Sequence, residues 1–245
     1  MHCQPPPSRT VYICTNINQS CLLCDEPTDN PYPLCVPCEA ELPWLHERCQ
    51  VCALPLPMAG LICAQCSRHP PAFQRVEAPW HYGFPVDTLI TRFKHSSHWP
   101  LGRLMAELLG HWLEHCFDEG MPRPQLLLPV PMARKRLRQR GFNQAAMLAD
   151  WLSASLGITR NERLLLRKRE TQAQQDLDAR ARKRNLANAF ALAGGAEVKG
   201  MHLALVDDVL TTGATANTLA RLLIDAGAAR VDVYCLARTP KPGSA

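Results

Sequence analysis

Apolar residues recur at helical spacing in WPLGRLMAELLGHWLEH (99–115), at Leu101, Leu104, Met105, Leu108, Leu109, Trp112 and Leu113. That period predicts an amphipathic helix with one buried face. NQAAMLADWLSASLG (143–157) and ATANTLARLLIDAG (214–227) carry the same period, closed by Gly157 and Gly227, and glycine best takes a left-handed terminal turn. Apolar runs of strand length stand between them: QLLLPVP (125–131), HLALVDD (202–208) and RVDVYCLAR (230–238), with a shorter one over 163–167. HYGFPVDTLITRFK (81–94) reads as a short strand passing into an amphipathic turn or helix. ETQAQQDLDARARKRNLANAF (170–190) is polar, and helical at least in its second half. Strands alternating with helices predict an α/β domain over 81–240, a mainly parallel sheet flanked by helices.

The first eighty residues break the pattern. Residues 1–20 are polar, contain Pro5-Pro6-Pro7 and read as a flexible tail. Residues 21–66 hold CLLC, CVPC, CQVC and CAQC, whose first cysteines (Cys21, Cys35, Cys49, Cys63) are each fourteen residues apart. Frequent prolines leave little room for long helices there. Each CxxC knuckle bends the backbone so that two sulfurs reach one metal, and two knuckles complete a tetrahedron. A stretch this short buries too little apolar surface to hold itself, so two structural Zn²⁺ ions are expected to supply much of its folding free energy. The gaps favour neighbouring pairing: Cys21, Cys24, Cys35 and Cys38 on one ion, and Cys49, Cys52, Cys63 and Cys66 on the other. Interleaved pairing satisfies the same count. An iron–sulfur cluster takes the same ligands and is the chief rival. SRHPPAFQRVEAPW (67–80) reads as the linker into the second domain.

No run reaches the roughly 18 to 20 apolar residues of a membrane span. The N-terminus lacks the basic start and apolar stretch of a secretory signal. A cytoplasmic protein with reduced cysteines and no membrane insertion is therefore expected, which argues against a disulfide scaffold. The net charge of +5 is unevenly spread. Residues 134–184 hold 14 Lys/Arg against 5 Asp/Glu, a local +9, so the remainder sums to −4. Such a basic region suits an anionic ligand: phosphate, pyrophosphate or nucleic acid.

The acidic pair Asp207-Asp208 ends an apolar strand, where like charges repel and each resists burial. In an open parallel sheet this is the edge at which ligands bind. The following TTGAT opens a helix, and amides at a helix start together with threonine hydroxyls make a phosphate cradle. Carboxylates beside such a cradle make sense if they accept hydrogen bonds from neutral hydroxyls or help hold Mg²⁺. A ribose 5-phosphate meets both demands. VDDVLTTGAT resembles the phosphoribosyl-pyrophosphate (PRPP) signature of type I phosphoribosyltransferases. That resemblance implies that Asp207 and Asp208 contact the ribose hydroxyls. It gives the 5′-phosphate to Thr211, Thr212, Gly213, Ala214 and Thr215.

Four knuckles ahead of such a domain, with LITRFK (89–94), RGFNQ (140–144) and DLDARARKRNLANAF (176–190), resemble the ComF family of competence and DNA-utilisation proteins. The likeness runs from Cys21 to Thr239. It implies a process of DNA uptake or utilisation, single-stranded DNA as a partner, and other competence or DNA-uptake proteins as further partners. Arg134, Lys135, Arg136, Arg138 and Arg140 follow a strand end where type I transferases place a pyrophosphate loop. They suit pyrophosphate or a nucleic-acid backbone equally. Asn143 reads either as a helix cap or as a ligand contact. Arg180, Lys183 and Arg184 share a helical face by spacing and extend the same basic groove. Whether the protein transfers a phosphoribosyl group or only binds one is left open, and no catalytic residue is assigned.

Overall fold

The computed structural model describes residues 19–96, 98–168 and 189–240. The helix expected over 170–190 lies outside the described residues except at its last two positions, and Phe190 there begins a strand. The chain divides into two units, Met1–Ala40 and Glu41–Ala245.

In the first unit β1 (Gln19–Ser20) pairs antiparallel with β2 (Pro27–Thr28), and α1 (Val36–Ala40) follows. The residues expected to close the tail thus form β1. The backbone bends at Asp25, just after Cys24, with a φ of 63. Cys21 N donates to Glu26 O at 2.8 Å, and Asp25 N to Cys21 O at 2.9 Å. The second unit opens by repeating this knuckle: Ala53 follows Cys52 with a φ of 52, Cys49 N donates to Leu54 O at 2.8 Å, and Ala53 N to Cys49 O at 2.9 Å. The sequence repeat is therefore also a repeat of backbone hydrogen bonds.

The rest of the second unit carries α2 (Ala64–Arg68), β3 (Arg75–Glu77), β4 (Trp80–His81), α3 (Val86–Ser96), α4 (Trp99–Asp118), β5 (Leu126–Pro129), α5 (Arg134–Arg140), α6 (Gln144–Leu156), β6 (Leu165–Arg167), β7 (Phe190–Leu192), β8 (His202–Leu210), α7 (Ala214–Asp225) and β9 (Arg230–Arg238). The main sheet runs β3-β9-β8-β5, with β4 also on β9, and every pairing in it is parallel. β6 and β7 form a separate antiparallel pair. Successive strand residues face opposite sides. Val231, Val233 and Cys235 of β9 pack with Leu219, Ala220 and Leu223 of α7 in one core. Tyr234 meets Phe117 of α4 with ring centroids 6.5 Å apart, on the other face. Both faces of the sheet are thus covered, which explains why β8 and β9 read as continuous apolar runs.

Residues 67–80, expected as a linker, are scaffold instead. They contribute the end of α2, all of β3 and Trp80 of β4. Glu77, fully buried, accepts from Arg48 Nη2 at 2.6 Å and from Trp112 Nε1 at 3.0 Å, and pairs with Arg75. Arg48 also donates to Ala78 O at 3.0 Å. A buried carboxylate needs such partners. Arg48, one residue ahead of the knuckle, thereby fastens the Cys49–Cys66 stretch to β3. That half of the cysteine repeat belongs to the α/β unit.

Helices α3 and α4 meet without a spacer at Gly102, where an added Cβ would stand 2.5 Å from the buried ring of Phe93. Overpacking of this kind typically costs about 1–3 kcal/mol. Gly102→Ala should lower the unfolding free energy by that amount, read as a lower urea midpoint with an unchanged slope. A wild-type midpoint would show that Phe93 has room to move.

Candidate functional site

Strand β8 does not stop at the acidic pair. It runs through Asp207 and Asp208 to Leu210, with Asp207 opposite Cys235 of β9. Asp207 Oδ1 accepts from Asp208 N and Asp208 Oδ1 from Val209 N, both at 2.9 Å. Each carboxylate is thereby tied to the amide of the residue that follows it. Lys94, from α3, forms an ion pair with Asp208. Burial pushes the Asp207 carboxyl up to about 7, and Lys94 pulls it back down. The same burial pushes the Lys94 ammonium down to about 8; Asp207 raises it, and Arg140 and Arg136 lower it further. Arg140 is itself pressed below its ordinary value by burial and then by Arg136. Two acids and three cations from β8, α3 and α5 therefore share one electrostatic site.

Sequence reasoning nominated the acids and the arginines but not Lys94. LITRFK carried a resemblance, yet nothing local marks its lysine: the partner lies 114 residues along the chain (208 − 94). What aims Lys94 is the residue before it. Phe93 is fully buried, its ring 5.6 Å from Phe142 and 6.0 Å from Trp151. An anchored Phe93 leaves the next side chain at the sheet edge.

The loop after β8 leads straight into α7. Thr211 and Thr212 are exposed, Gly213 takes a φ of 73 as the cap of α7, and Ala214 N donates to Thr212 Oγ1 at 3.3 Å. A side chain at Gly213 would be strained by that φ. Thr215, within the first turn of α7, is half-buried. The loop opens on a cavity of about 1120 Å³, also lined by Arg68, Phe73 and Arg221.

After β5 the chain forms α5, with Arg134, Lys135, Arg136 and Arg138 exposed and Arg140 half-buried. Arg140 Nη1 donates to Gln144 Oε1 at 2.6 Å. Asn143 spends both ends of its amide on the scaffold: Oδ1 accepts from Ala145 N and Nδ2 donates to Val130 O, each at 3.1 Å. The geometry therefore makes Asn143 a cap for α6. Arg180, Lys183 and Arg184 lie outside the described residues.

The cysteines gather as neighbours, Cys21 with Cys24, Cys35 and Cys38, and Cys49 with Cys52, Cys63 and Cys66. Within each group all four sulfurs lie within 4.8 Å of one another. Cys24 and Cys35 stand 3.7 Å apart, as do Cys52 and Cys63. Four sulfurs about 2.3 Å from a zinc ion would be about 3.8 Å apart, so both sets fit that ion. Backbone amides support the sulfurs: Leu23 N donates to Cys21 Sγ at 3.4 Å, and Cys63 N to Cys49 Sγ at 3.3 Å. The groups differ in burial. Cys24 is exposed, whereas all four cysteines of the second group are buried.

Known proteins agree with this geometry. A family model described as a double zinc ribbon domain matches residues 17–67, and one described as a phosphoribosyl transferase domain matches residues 137–244. The chain is 36% identical over 221 residues to the DNA utilization protein YhgH of Salmonella typhi, covering 89% of this chain and 96% of that protein. It is 33% identical over 207 residues to Competence protein F of Haemophilus influenzae, covering 84% and 90%. A shorter match, 32% over 115 residues, joins 46% of the chain to 45% of Competence protein ComFC of Bacillus subtilis. Among the described residues no helix is long and apolar enough to cross a membrane. A double zinc ribbon with two four-cysteine groups, a phosphoribosyltransferase-like parallel sheet and these near full-length relatives together make the chain a member of the ComF family of competence and DNA-utilisation proteins.

Proposed function

We propose that the protein serves DNA uptake or utilisation by binding PRPP or a ribose 5-phosphate at the β8 edge. One observation carries the reading: the paired acids, the threonine loop and three cations converge on one strand end. Ionised Asp207 and Asp208 accept hydrogen bonds from the ribose hydroxyls and help hold Mg²⁺. The amides and hydroxyls of Thr211–Thr215 take the 5′-phosphate. Lys94, released from Asp208 as the diol or Mg²⁺ takes its place, turns to the pyrophosphate together with Arg136 and Arg140. Single-stranded DNA lies along the exposed arginines of α5 and the zinc-bearing module, held mainly through its phosphates. The two zinc ions are structural.

A second reading, transfer of the phosphoribosyl group to an acceptor, draws support from the same three cations. They stand where departing pyrophosphate gathers charge, and fixed cations there lower a barrier. Pyrophosphate release from PRPP and Mg²⁺ with a panel of nucleobases distinguishes it from binding alone.

Calorimetry with PRPP and Mg²⁺ should give saturable heat, and Asp207→Asn should weaken binding at least about tenfold, the loss of a charge-assisted hydrogen bond. No heat with the wild-type protein would end this reading. Affinity should rise as pH climbs through about 7, where Asp207 ionises, and fade above about 8, where Lys94 loses its proton. A profile flat from pH 6 to 9 would contradict the assignment of both groups.

Stability should move the other way. The folded state holds the Asp207 carboxyl above its ordinary 3.8, so its contribution is lost as pH rises from there through about 7. At pH 8 Asp207→Asn should therefore raise the stability by about 1–3 kcal/mol while impairing binding. A lower melting temperature would show that the carboxylate is structural. Affinity for an oligonucleotide should fall steeply between about 50 and 200 mM salt if phosphates dominate the contact.

A further inference from the structure

Arg238 ends β9 with only 6% of its surface exposed, and its guanidinium sits among backbone carbonyls. Nε donates to Cys52 O at 2.9 Å. Nη1 donates to Leu210 O at 3.1 Å, to Thr239 O at 2.7 Å, and to Thr211 O. Among the described residues no carboxylate pairs with it. One side chain thus joins the Cys49–Cys52 knuckle to Leu210 and Thr211, which lead into the loop. Two further ties run in parallel. Ala72 N donates to Asn217 Oδ1 in the first turn of α7 at 2.7 Å, and Phe73 lies 3.9 Å from where a Cβ on Gly213 would stand. Cys49, Cys52, Cys63, Cys66, Phe73, Leu210 and Ala216 belong to one continuous core.

We propose that Arg238 is a positioning residue through which the second cysteine group sets the conformation of the phosphate loop, so that ligand affinity at the loop depends on metal held by Cys49, Cys52, Cys63 and Cys66. The knuckle presents its Cys52 carbonyl to Arg238 only while the turn through Ala53 is held, and the metal holds that turn. Relaxation of the turn frees the guanidinium from one side and loosens its grip on Leu210 and Thr211. The positional statement is independent of the ligand. Its consequence for affinity rests on the reading of the loop as a phosphate cradle.

The test uses the full chain, amide hydrogen exchange across residues 210–217 without ligand, metal content by mass spectrometry, and PRPP calorimetry. Arg238→Gln should speed exchange at 210–217 at least about tenfold, with metal content unchanged, and should weaken PRPP binding to a similar degree. Arg238→Lys should recover part of both, because an ammonium still donates to carbonyls. Arg230→Gln, which removes a cation from the opposite end of β9, should alter neither. Chelation of the wild-type protein should raise exchange at the same loop, and chelation of Arg238→Gln should add little, since the link is already cut. If Arg238→Gln does not fold, Arg238→Lys and chelation of the wild type carry the same comparison. Wild-type exchange in the loop of Arg238→Gln would overturn the proposal. So would chelation that loosens β8 and β9 uniformly, or that acts undiminished in the variant. Absence of PRPP heat with loop exchange behaving as described would reject the ligand reading and leave the linkage standing.

Discussion

Ionised carboxylates at the end of a buried strand are tolerated only if cations are brought to them, and that requirement organises the ligand edge of the α/β unit. Burial alone drives Asp207 toward its neutral form and Lys94 toward its own. Each pulls the other back toward its charged form, so neither residue makes sense singly. The scaffold is arranged to deliver the second charge. Phe93 is sunk in the core beside Phe142 and Trp151, and Gly102 lets α4 close over it. Asn143 ties the start of α6 to Val130 beyond β5, which sets where Arg140 and Arg136 leave the sheet. Packing that looks ordinary thereby determines the electrostatics of the edge.

Elements with strong periodicity were legible in the sequence. The helices over 99–118, 144–156 and 214–225 fall within a few residues of the apolar pattern, and so do the strands β5, β8 and β9, because both faces of their sheet are buried. The site's acids and loop were legible for a different reason: they are consecutive, so the chain itself fixes their spacing. What escaped has long-range causes. β3 is three residues long and contains the buried Glu77, a charge that reads as solvent-facing until Arg48 and Trp112 are seen around it. Lys94 and Arg238 gain their meaning only from partners far along the chain. No local pattern encodes such a pairing.

The cysteine repeat is the sharpest instance. Its four units are equally spaced, and the two knuckles at Cys21 and Cys49 share the same backbone hydrogen bonds and the same positive φ after the second cysteine. Local chemistry is therefore the same in both, and sequence rightly treats them alike. Tertiary context separates them. The first group includes exposed Cys24 in a unit of its own, whereas the second is buried in the core that also holds the inner face of α7 and Leu210 at the end of β8. A repeat that folds by metal coordination needs little core of its own, which leaves each copy free to acquire a separate role.

The buried Arg238 follows from this division. A guanidinium away from water and without a carboxylate is costly unless its donors are all used. Here carbonyls take Nε and Nη1, and three of those carbonyls belong to segments that otherwise lack a shared ladder: Cys52 of the knuckle, and Leu210 and Thr211 beyond the acidic pair. A hydrophobic residue at this position would fill the space yet take this donor away from Cys52 O and Thr211 O. A carboxylate beside Arg238 would neutralise it and compete with the carbonyls for its donors. An arginine held by carbonyls alone keeps its positive charge beside the Thr211 loop, which suits the anionic ligand proposed there. The same side chain therefore ties the backbone at Leu210 and Thr211 and adds positive potential there, and the Cys52 carbonyl of the knuckle completes the socket that holds it.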